Sequence, residues 1–256
     1  MTAESRLLSL PASPIAECTS TQDLARRAAE AGAPEGTIVW SLAQSAGRGR
    51  SDHTWHSASG LGLWVSLILR PEFEQEAWPA LTSLAAIAAA EALSIGAPPG
   101  WLAELKWPND LFGRRGKLGG VLAETTGHAV ILGLGLDIGH SSEDFPPELQ
   151  GSVSSLRLEG FSPLPSLREL LLAFDDRFAR GYDAFGRGDR DWLRSGLLAR
   201  SHTIGRHVRV REGDAVVEGV AIDLGPLGEL ILETTHGVRA MRGGELLRDE
   251  RNASAR

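Results

Sequence analysis

Apolar and polar positions along the chain fall into two periods. Leu24-Ala25-Arg26-Arg27-Ala28-Ala29-Glu30-Ala31 follows Ser20-Thr21-Gln22-Asp23 and stops at Gly32, which predicts a helix with start and stop signals. Thr37 to Leu42 reads as a strand. Leu61 to Leu69 alternates around Leu63, Val65, Leu67 and Leu69 and predicts another. Between them, 44–60 is a polar loop rich in Gly and Ser. A long helix is expected over 76–95, with Pro79 near its start, where proline is tolerated. Short strands are expected at 102–107 and 110–112 around a Pro-Asn turn. Longer paired strands follow at 117–125 and 129–138, with Thr126-Gly127-His128 as the hairpin turn. The stretch 141–165 is mostly irregular, and amphipathic helices are expected over 167–185 and 189–198.

Beyond residue 203 the chain turns β-rich, with strands expected at 208–210, 216–222, 229–233 and 238–241. This predicts a first unit over 1–202 and a small β-barrel over 203–256, with a frayed tail from Asp249. The first unit joins its strands mainly as hairpins and gathers its helices in blocks. It therefore reads as α+β on a mixed or antiparallel sheet, not as a doubly wound parallel sheet.

The composition is that of an ordinary globular protein: 256 residues, 42% hydrophobic, net charge −7. No apolar run reaches the roughly 18 residues of a membrane span. Met1–Leu10 lacks the pattern of a secretory signal, and the single Cys18 excludes an internal disulfide framework, so a cytoplasmic protein is expected. The acidic balance argues against bulk nucleic-acid binding. The seven histidines have no zinc-ligand spacing.

Lysine usage changes this picture. Of the 26 basic residues only Lys106 and Lys117 are lysine, and both lie in one twelve-residue stretch. In a chain that otherwise uses Arg, a retained Lys points to a need for a compact ammonium in place of a planar fork. Lys106-Trp107-Pro108-Asn109-Asp110 fits either a structural turn around a buried Trp or a site in which Asp110 holds Mg²⁺ or a basic partner. Gly47-Arg48-Gly49-Arg50, with Trp55 nearby, fits a solvated basic loop or a loop that closes on an anion. Lys117-Leu118-Gly119-Gly120 and Gly133-Leu134-Gly135-Leu136-Asp137 fit bulged or closely packed strands, or bare backbone lying beside a ligand. The second of these is not a dinucleotide fingerprint, because its third glycine is displaced.

In this order and near this spacing, these motifs resemble those of the biotin protein ligases, as do Ser20-Thr21-Gln22 and Gly243-Gly244-Glu245. The resemblance runs from about Ser20 to Leu247. It implies a core related to class II aminoacyl-tRNA synthetases followed by an SH3-like barrel. Nineteen residues precede Ser20, which implies the short form without an N-terminal winged-helix repressor domain and without a DNA partner. The implied chemistry joins biotin to ATP, with Mg²⁺, as biotinyl-5′-AMP. The biotin then passes to a lysine of the biotin carboxyl carrier protein of acetyl-CoA carboxylase or a similar carboxylase, by a monomer or homodimer. A lipoate or octanoyl ligase and a non-catalytic biotin-binding protein are the alternatives.

By the same resemblance, Ser20, Thr21, Gln22, Gln44 and Gly120 contact biotin. Arg48, Gly49 and Arg50 order over its carboxylate and the phosphate. Lys117 contacts the carboxylate and the α-phosphoryl oxygens, and Lys117, Arg48 and Arg50 are the expected catalytic residues. Trp55, Asn109, Asp110, Gly133, Gly135 and Asp137 serve the nucleotide, and Asp110 also serves Mg²⁺. Three positions depart from the family pattern: Gln22 replaces a usual Asn, Asp52 a glycine, and Asp137 the Asn of Gly-x-Gly-x-Asn. A carboxylate only accepts hydrogen bonds where an amide also donates.

Overall fold

The structure, a computed structural model, describes residues 13–50 and 53–247. Asp52 and the expected frayed tail lie outside the described residues.

Six strands form the central sheet: β1 (Ile38–Ser41), β4 (Gly62–Leu69), β5 (Glu104–Lys106), β6 (Asp110–Phe112), β7 (Lys117–Thr126) and β8 (Ala129–Asp137). Their order is β1-β4-β8-β7-β6-β5, and every pairing between them is antiparallel. Of the two expected sheet types the antiparallel one is present, and the parallel pairings are isolated bridges such as Lys117 with Val153. The turn between β7 and β8 is one residue shorter than expected, because Thr126 still pairs with Ala129. Gly127 there adopts φ +55°, which a two-residue hairpin turn requires.

One face of the sheet carries helices α2 (Ala80–Ala92), α3 (Leu167–Gly186) and α4 (Arg190–Leu198). Helix α2 is almost wholly apolar and is buried, as a helix without a polar face is in a packed core. It is shorter than the expected 76–95. Pro79 has no N–H to donate and sits at the N-cap, and Gln75–Ala77 before it form a separate 3₁₀ turn. Helix α3 begins at a capping box between Ser166 and Glu169.

The opposite face is covered at one end only. Helix α1 (Thr21–Glu30) lays Ala25 and Ala29 against Ile68, Ala129 and Ile131, which form a small second core. The rest of that face carries no helix and is roofed by residues 44–50 and 53–60. The expected loop there contains a minimal hairpin of β2 (Gly47–Arg48) and β3 (Thr54–Trp55).

A five-stranded antiparallel sheet follows: β9 (His207–Glu212), β10 (Ala215–Leu224), β11 (Leu230–Thr234), β12 (Gly237–Met241) and β13 (Glu245–Leu246), in the order β12-β11-β10-β9-β13. Strand β13 was not expected from the sequence, because two residues carry no periodicity. Gly244 leads into it at φ +123°, where a Cβ would stand 2.4 Å from the Arg211 carbonyl oxygen. This unit is tied to the first by Trp107, whose Nε1 donates to the Gly228 carbonyl (3.0 Å) and whose backbone N–H donates to Thr203 Oγ1 (3.0 Å). Arg194 adds bonds to both carboxylate oxygens of Asp223.

Candidate active site

Strand register explains why glycines recur in the motifs. Trp64 of β4 pairs with Gly135 of β8, Gly135 with Gly120 of β7, Gly120 with Asp110 of β6, and Asp110 with Lys106 of β5. Directly paired residues share a sheet face. The row therefore crosses the open face as Trp, Gly, Gly, Asp, Lys. The neighbouring row runs Ser66, Gly133, Leu122. The result is a floor of bare backbone flanked by polar side chains.

An irregularity sets Lys117 on this floor. Leu111 pairs with Gly119, but Phe112 pairs with Lys117, skipping Leu118. This bulge lets Leu118 enter the core while Lys117 joins Gly120 at the cavity. The turn before Lys117 is pinned by Glu159. Its carboxylate accepts from Trp101 Nε1, Ser154 Oγ and the backbone N–H groups of Arg114 and Arg115, at 2.7–3.0 Å. Burial alone would raise this carboxyl's pKa, yet these bonds hold it below its usual value.

The cavity above the floor has a volume of about 560 Å³. Every site residue expected from the sequence lines it: Ser20, Thr21, Gln22, Gln44, Arg48, Gly49, Arg50, Trp55, Asn109, Asp110, Lys117, Gly120, Gly133, Gly135 and Asp137. It has three parts.

At one end lies a buried network of hydroxyls and amides. Gln44 Oε1 accepts from the Thr21 backbone N–H (2.8 Å) and so satisfies an orphan donor at the start of α1. Gln44 Nε2 donates to Ser57 Oγ (2.9 Å). Gln22 donates to the Ile131 carbonyl (3.0 Å) and accepts from Ser66 Oγ (3.0 Å), which also bonds Thr21 Oγ1 (2.9 Å). Ser20 stands at the N-cap, but its hydroxyl makes no capping bond, which leaves it to face the cavity. Gln22 reaches across the floor only because residue 133 is glycine: a Cβ there would stand 2.7 Å from Gln22 Oε1.

In the middle lie the cations. Lys117 Nζ is 2.6 Å from Asp110 Oδ1 and 5.1 Å from the Trp55 ring centroid. Arg50 donates to Asn109 Oδ1 (3.2 Å) and to the Gly244 carbonyl (3.1 Å), linking the roof segment to the C-terminal unit. Burial pulls its guanidinium below the usual value, with Asp110 and Glu245 opposing. Arg48 differs from these two. It sits at the rim, ion-paired to Asp23 (2.7 Å) and to Glu124. An incoming anion at Arg48 must compete with two carboxylates.

The other end is aromatic, formed by Trp55, Trp64, His56 and Phe145 around Asp137. Asp137 is 5% exposed, and His140 Nδ1 lies 3.6 Å from its Oδ1. From the sequence, Asp137 is expected to be an ionised, acceptor-only carboxylate. Its burial corrects this: loss of hydration raises its pKa well above the usual value, with Lys117 opposing.

Ser57, Ser66, Trp64 and His140 were not singled out in the sequence. Ser66 carried a signal, being the one polar residue between Trp64 and Leu69 in a strand buried along its whole length.

His140 predicts a pH effect. Burial lowers its pKa from 6.5 to about 4, with His56 adding to the shift and Asp144 opposing. The neutral ring therefore contributes stability that is present above pH 6.5 and lost as pH falls to about 4. At about 1.4 kcal/mol per unit, the loss reaches ~3 kcal/mol at most. Thermal melts from pH 7 to 4 should show a fall that is shallower in His140→Phe. Parallel curves would contradict this.

A network of amides and hydroxyls, a band of cations and an aromatic end, joined on one floor, are the layout of an enzyme that links a small carboxylic acid to a nucleotide. Residues 15–137 match the Biotin/lipoate A/B protein ligase family, and residues 203–245 match the Biotin protein ligase C terminal domain. The Bifunctional ligase/repressor BirA of Bacillus spizizenii is 34% identical over 243 residues, 89% of this chain and 71% of that protein. The Biotin--[acetyl-CoA-carboxylase] ligase of Mycobacterium tuberculosis is 31% identical over 240 residues, 91% of this chain and 87% of that protein. Among solved structures, the biotin protein ligase of Aquifex aeolicus in complex with biotin and ATP superimposes with a TM-score of 0.79 at 26% identity, covering 92% of this chain and 97% of that one. The chain belongs to the biotin protein ligase family.

Proposed function

We propose that this chain is an ATP-dependent ligase that forms biotinyl-5′-AMP and passes biotin to a lysine of a carboxyl carrier protein. The observation that carries this reading is the single cavity that joins the hydroxyl–amide network to the aromatic end through Lys117 and Arg50. The biotin ring system is bicyclic, with polar groups at one edge, and suits Ser20, Thr21, Gln22 and Gln44 over the bare backbone at Gly120 and Gly133. Its carboxylate then points at the cations.

In the first step a biotin carboxylate oxygen attacks the α-phosphorus. An O–P bond forms, the bond to the β-phosphate breaks, and pyrophosphate leaves. Both reactants are anions, so the main task is to offset charge, and little proton transfer is needed. Lys117 answers charge at the carboxylate and α-phosphoryl oxygens, with Arg50 and Arg48 closing from the roof. Among the described residues no three His, Cys, Asp or Glu side chains converge to hold a metal by themselves. The donor set still fits Mg²⁺, which binds through one or two carboxylates plus substrate phosphates. Asp110 is the residue that would hold it, and when bound the ion offsets triphosphate charge. In this reading Asn109, Gly135 and Trp55 bear on the nucleotide. A closed roof also keeps water from the mixed anhydride.

In the second step the carrier amine attacks the biotin carbonyl carbon, the C–O bond breaks, AMP leaves and the amine proton passes to solvent. A second cavity of about 440 Å³ borders the first across Asn109 and Arg50 and reaches Arg242 of the C-terminal unit. Among the described residues no carboxylate lines it. We assign it to the carrier, whose acceptor segment then needs acidic character. Arg242→Glu is expected to raise the KM for carrier about tenfold and leave pyrophosphate release unchanged. An unchanged carrier KM would contradict the assignment.

The division at residues 202 and 203 and a cytoplasmic setting belong to the same reading. Among the described residues no helix is long and apolar enough to cross a membrane. The reading is tested by calorimetric titration of biotin with and without Mg·ATP. Much tighter retention with ATP, accompanied by pyrophosphate release, is expected. Equal affinity without release would mark a biotin-binding protein.

A further inference from the structure

We infer that Asp137 serves as a neutral carboxylic acid that reads the donor–acceptor edge of the adenine ring, in place of an amide. This rests on the reading that the nucleotide base occupies the aromatic end of the cavity.

The geometry points there through unpartnered polar atoms. Asp137 Oδ1 is buried and accepts no hydrogen bond. His140 is fully buried, with Nδ1 3.6 Å from Asp137 Oδ1, and neither ring nitrogen makes a hydrogen bond. The indole N–H groups of Trp55 and Trp64 are likewise buried and unpaired. His140 stacks on Phe145 at 4.6 Å and meets the Trp64 ring edge-on at 6.2 Å. Trp55 meets Trp64 in a T-shaped pair at 6.3 Å. Unpaired buried polar atoms are costly, so three such side chains lining one compartment, Asp137, Trp55 and Trp64, mark it as built for a polar, flat ligand.

The required protonation state follows from the ligand's edge. Adenine presents an N6 amino donor beside the N7 acceptor, and a side-chain amide matches both, with one acceptor and one donor. A neutral carboxyl also has one acceptor and one donor, whereas a carboxylate offers only acceptors and leaves N7 facing a negative charge. Guanine shows two acceptors, O6 and N7, and matches neither form of the residue.

The surroundings keep the acid neutral. Asp137 pairs with Gly62 of β4, which brings no charge. Lys117 on β7 favours ionisation but is ion-paired to Asp110. His140 is uncharged near neutrality, and beyond it lie His56 and Asp144, with Arg157 bonded to the Gly139 carbonyl. Burial is the largest influence on Asp137 and raises its pKa well above the usual value, which favours the neutral form.

The consequence is ATP recognition that weakens as pH rises through the Asp137 pKa. There the free enzyme must take up a proton to bind the base, so KM for ATP climbs by up to about tenfold per pH unit. The test measures pyrophosphate release against ATP concentration from pH 6 upward, in the wild type and in Asp137→Asn. Biotin affinity is measured alongside.

The expected result is a rising KM for ATP in the wild type, a flat one in Asp137→Asn, and a biotin affinity without this pH dependence in both. In melts, the Tm gain of Asp137→Asn should widen as pH rises from about 4 towards the folded-state pKa, because only the native aspartate carries the buried proton. Parallel KM profiles, or GTP used as well as ATP, overturn this inference and leave the cavity reading intact. A wild type that releases no pyrophosphate from ATP at any pH overturns both.

Discussion

Replacing Lys117 by Arg is expected to lower biotinyl-adenylate formation by about 10²–10³-fold, nearly as much as replacement by Ala. Loss of a preorganised charge that acts on the transition state costs about 3–4 kcal/mol. Arg keeps the charge but not its shape: the ammonium stands 2.6 Å from Asp110 in a narrow place between β6 and the Trp55 ring. A planar guanidinium displaces the carboxylate and phosphoryl oxygens that must meet there. Stability should change little, because the Lys117–Asp110 pair is partly exposed and such pairs are worth about 1 kcal/mol or less. Pyrophosphate release at saturating biotin and ATP, with a melt of each variant, checks both statements. An Arg variant within about twofold of the wild type would remove Lys117 from the catalytic role.

The second large effect is expected at Gly133. A Cβ added there stands 2.7 Å from Gln22 Oε1, inside a buried network that joins Gln22, Ser66, Thr21 and Gln44. Gly133→Ala therefore pushes the Gln22 amide off Ser66 and off the Ile131 carbonyl. Each buried polar group left unpaired costs about 1–3 kcal/mol, so biotin affinity should fall about 10–100-fold. Shortening the neighbour relieves the clash: Gly133→Ala with Gln22→Asn should bind biotin more tightly than Gly133→Ala alone, a coupling that separated sites would not show. Additive losses in titrations of the four proteins would mean that Gln22 does not reach over residue 133.

The cavity was largely legible in the sequence because its parts are residue types with few other uses. Glycines at 120, 133 and 135 and two lysines in an arginine-rich chain are chemical choices, and all of them line the cavity or its floor. What escaped depends on three-dimensional context. The bulge that aims Lys117 into the site is a pairing between strands and leaves no local pattern. Ser57 matters only because the roof folds back onto Gln44. The helix expected over 76–95 begins only at Ala80, because Pro79 has no N–H to donate and takes the N-cap. The raised pKa of Asp137 could not be read from residue type, since burial is its main cause. The Arg48 contact to Asp23 and Glu124 likewise joins three distant segments.

The activity is one sequence of bond changes: biotin to adenylate, adenylate to lysine. Its most direct test is intact-mass spectrometry of a carboxyl carrier domain incubated with this protein, biotin and Mg·ATP. The account predicts one biotinyl group per carrier domain, dependent on ATP. It predicts none when the acceptor lysine is replaced by Arg, and none when lipoate or octanoate replaces biotin. A carrier left unmodified while the protein holds biotin, or one that takes lipoate or octanoate in its place, would contradict it.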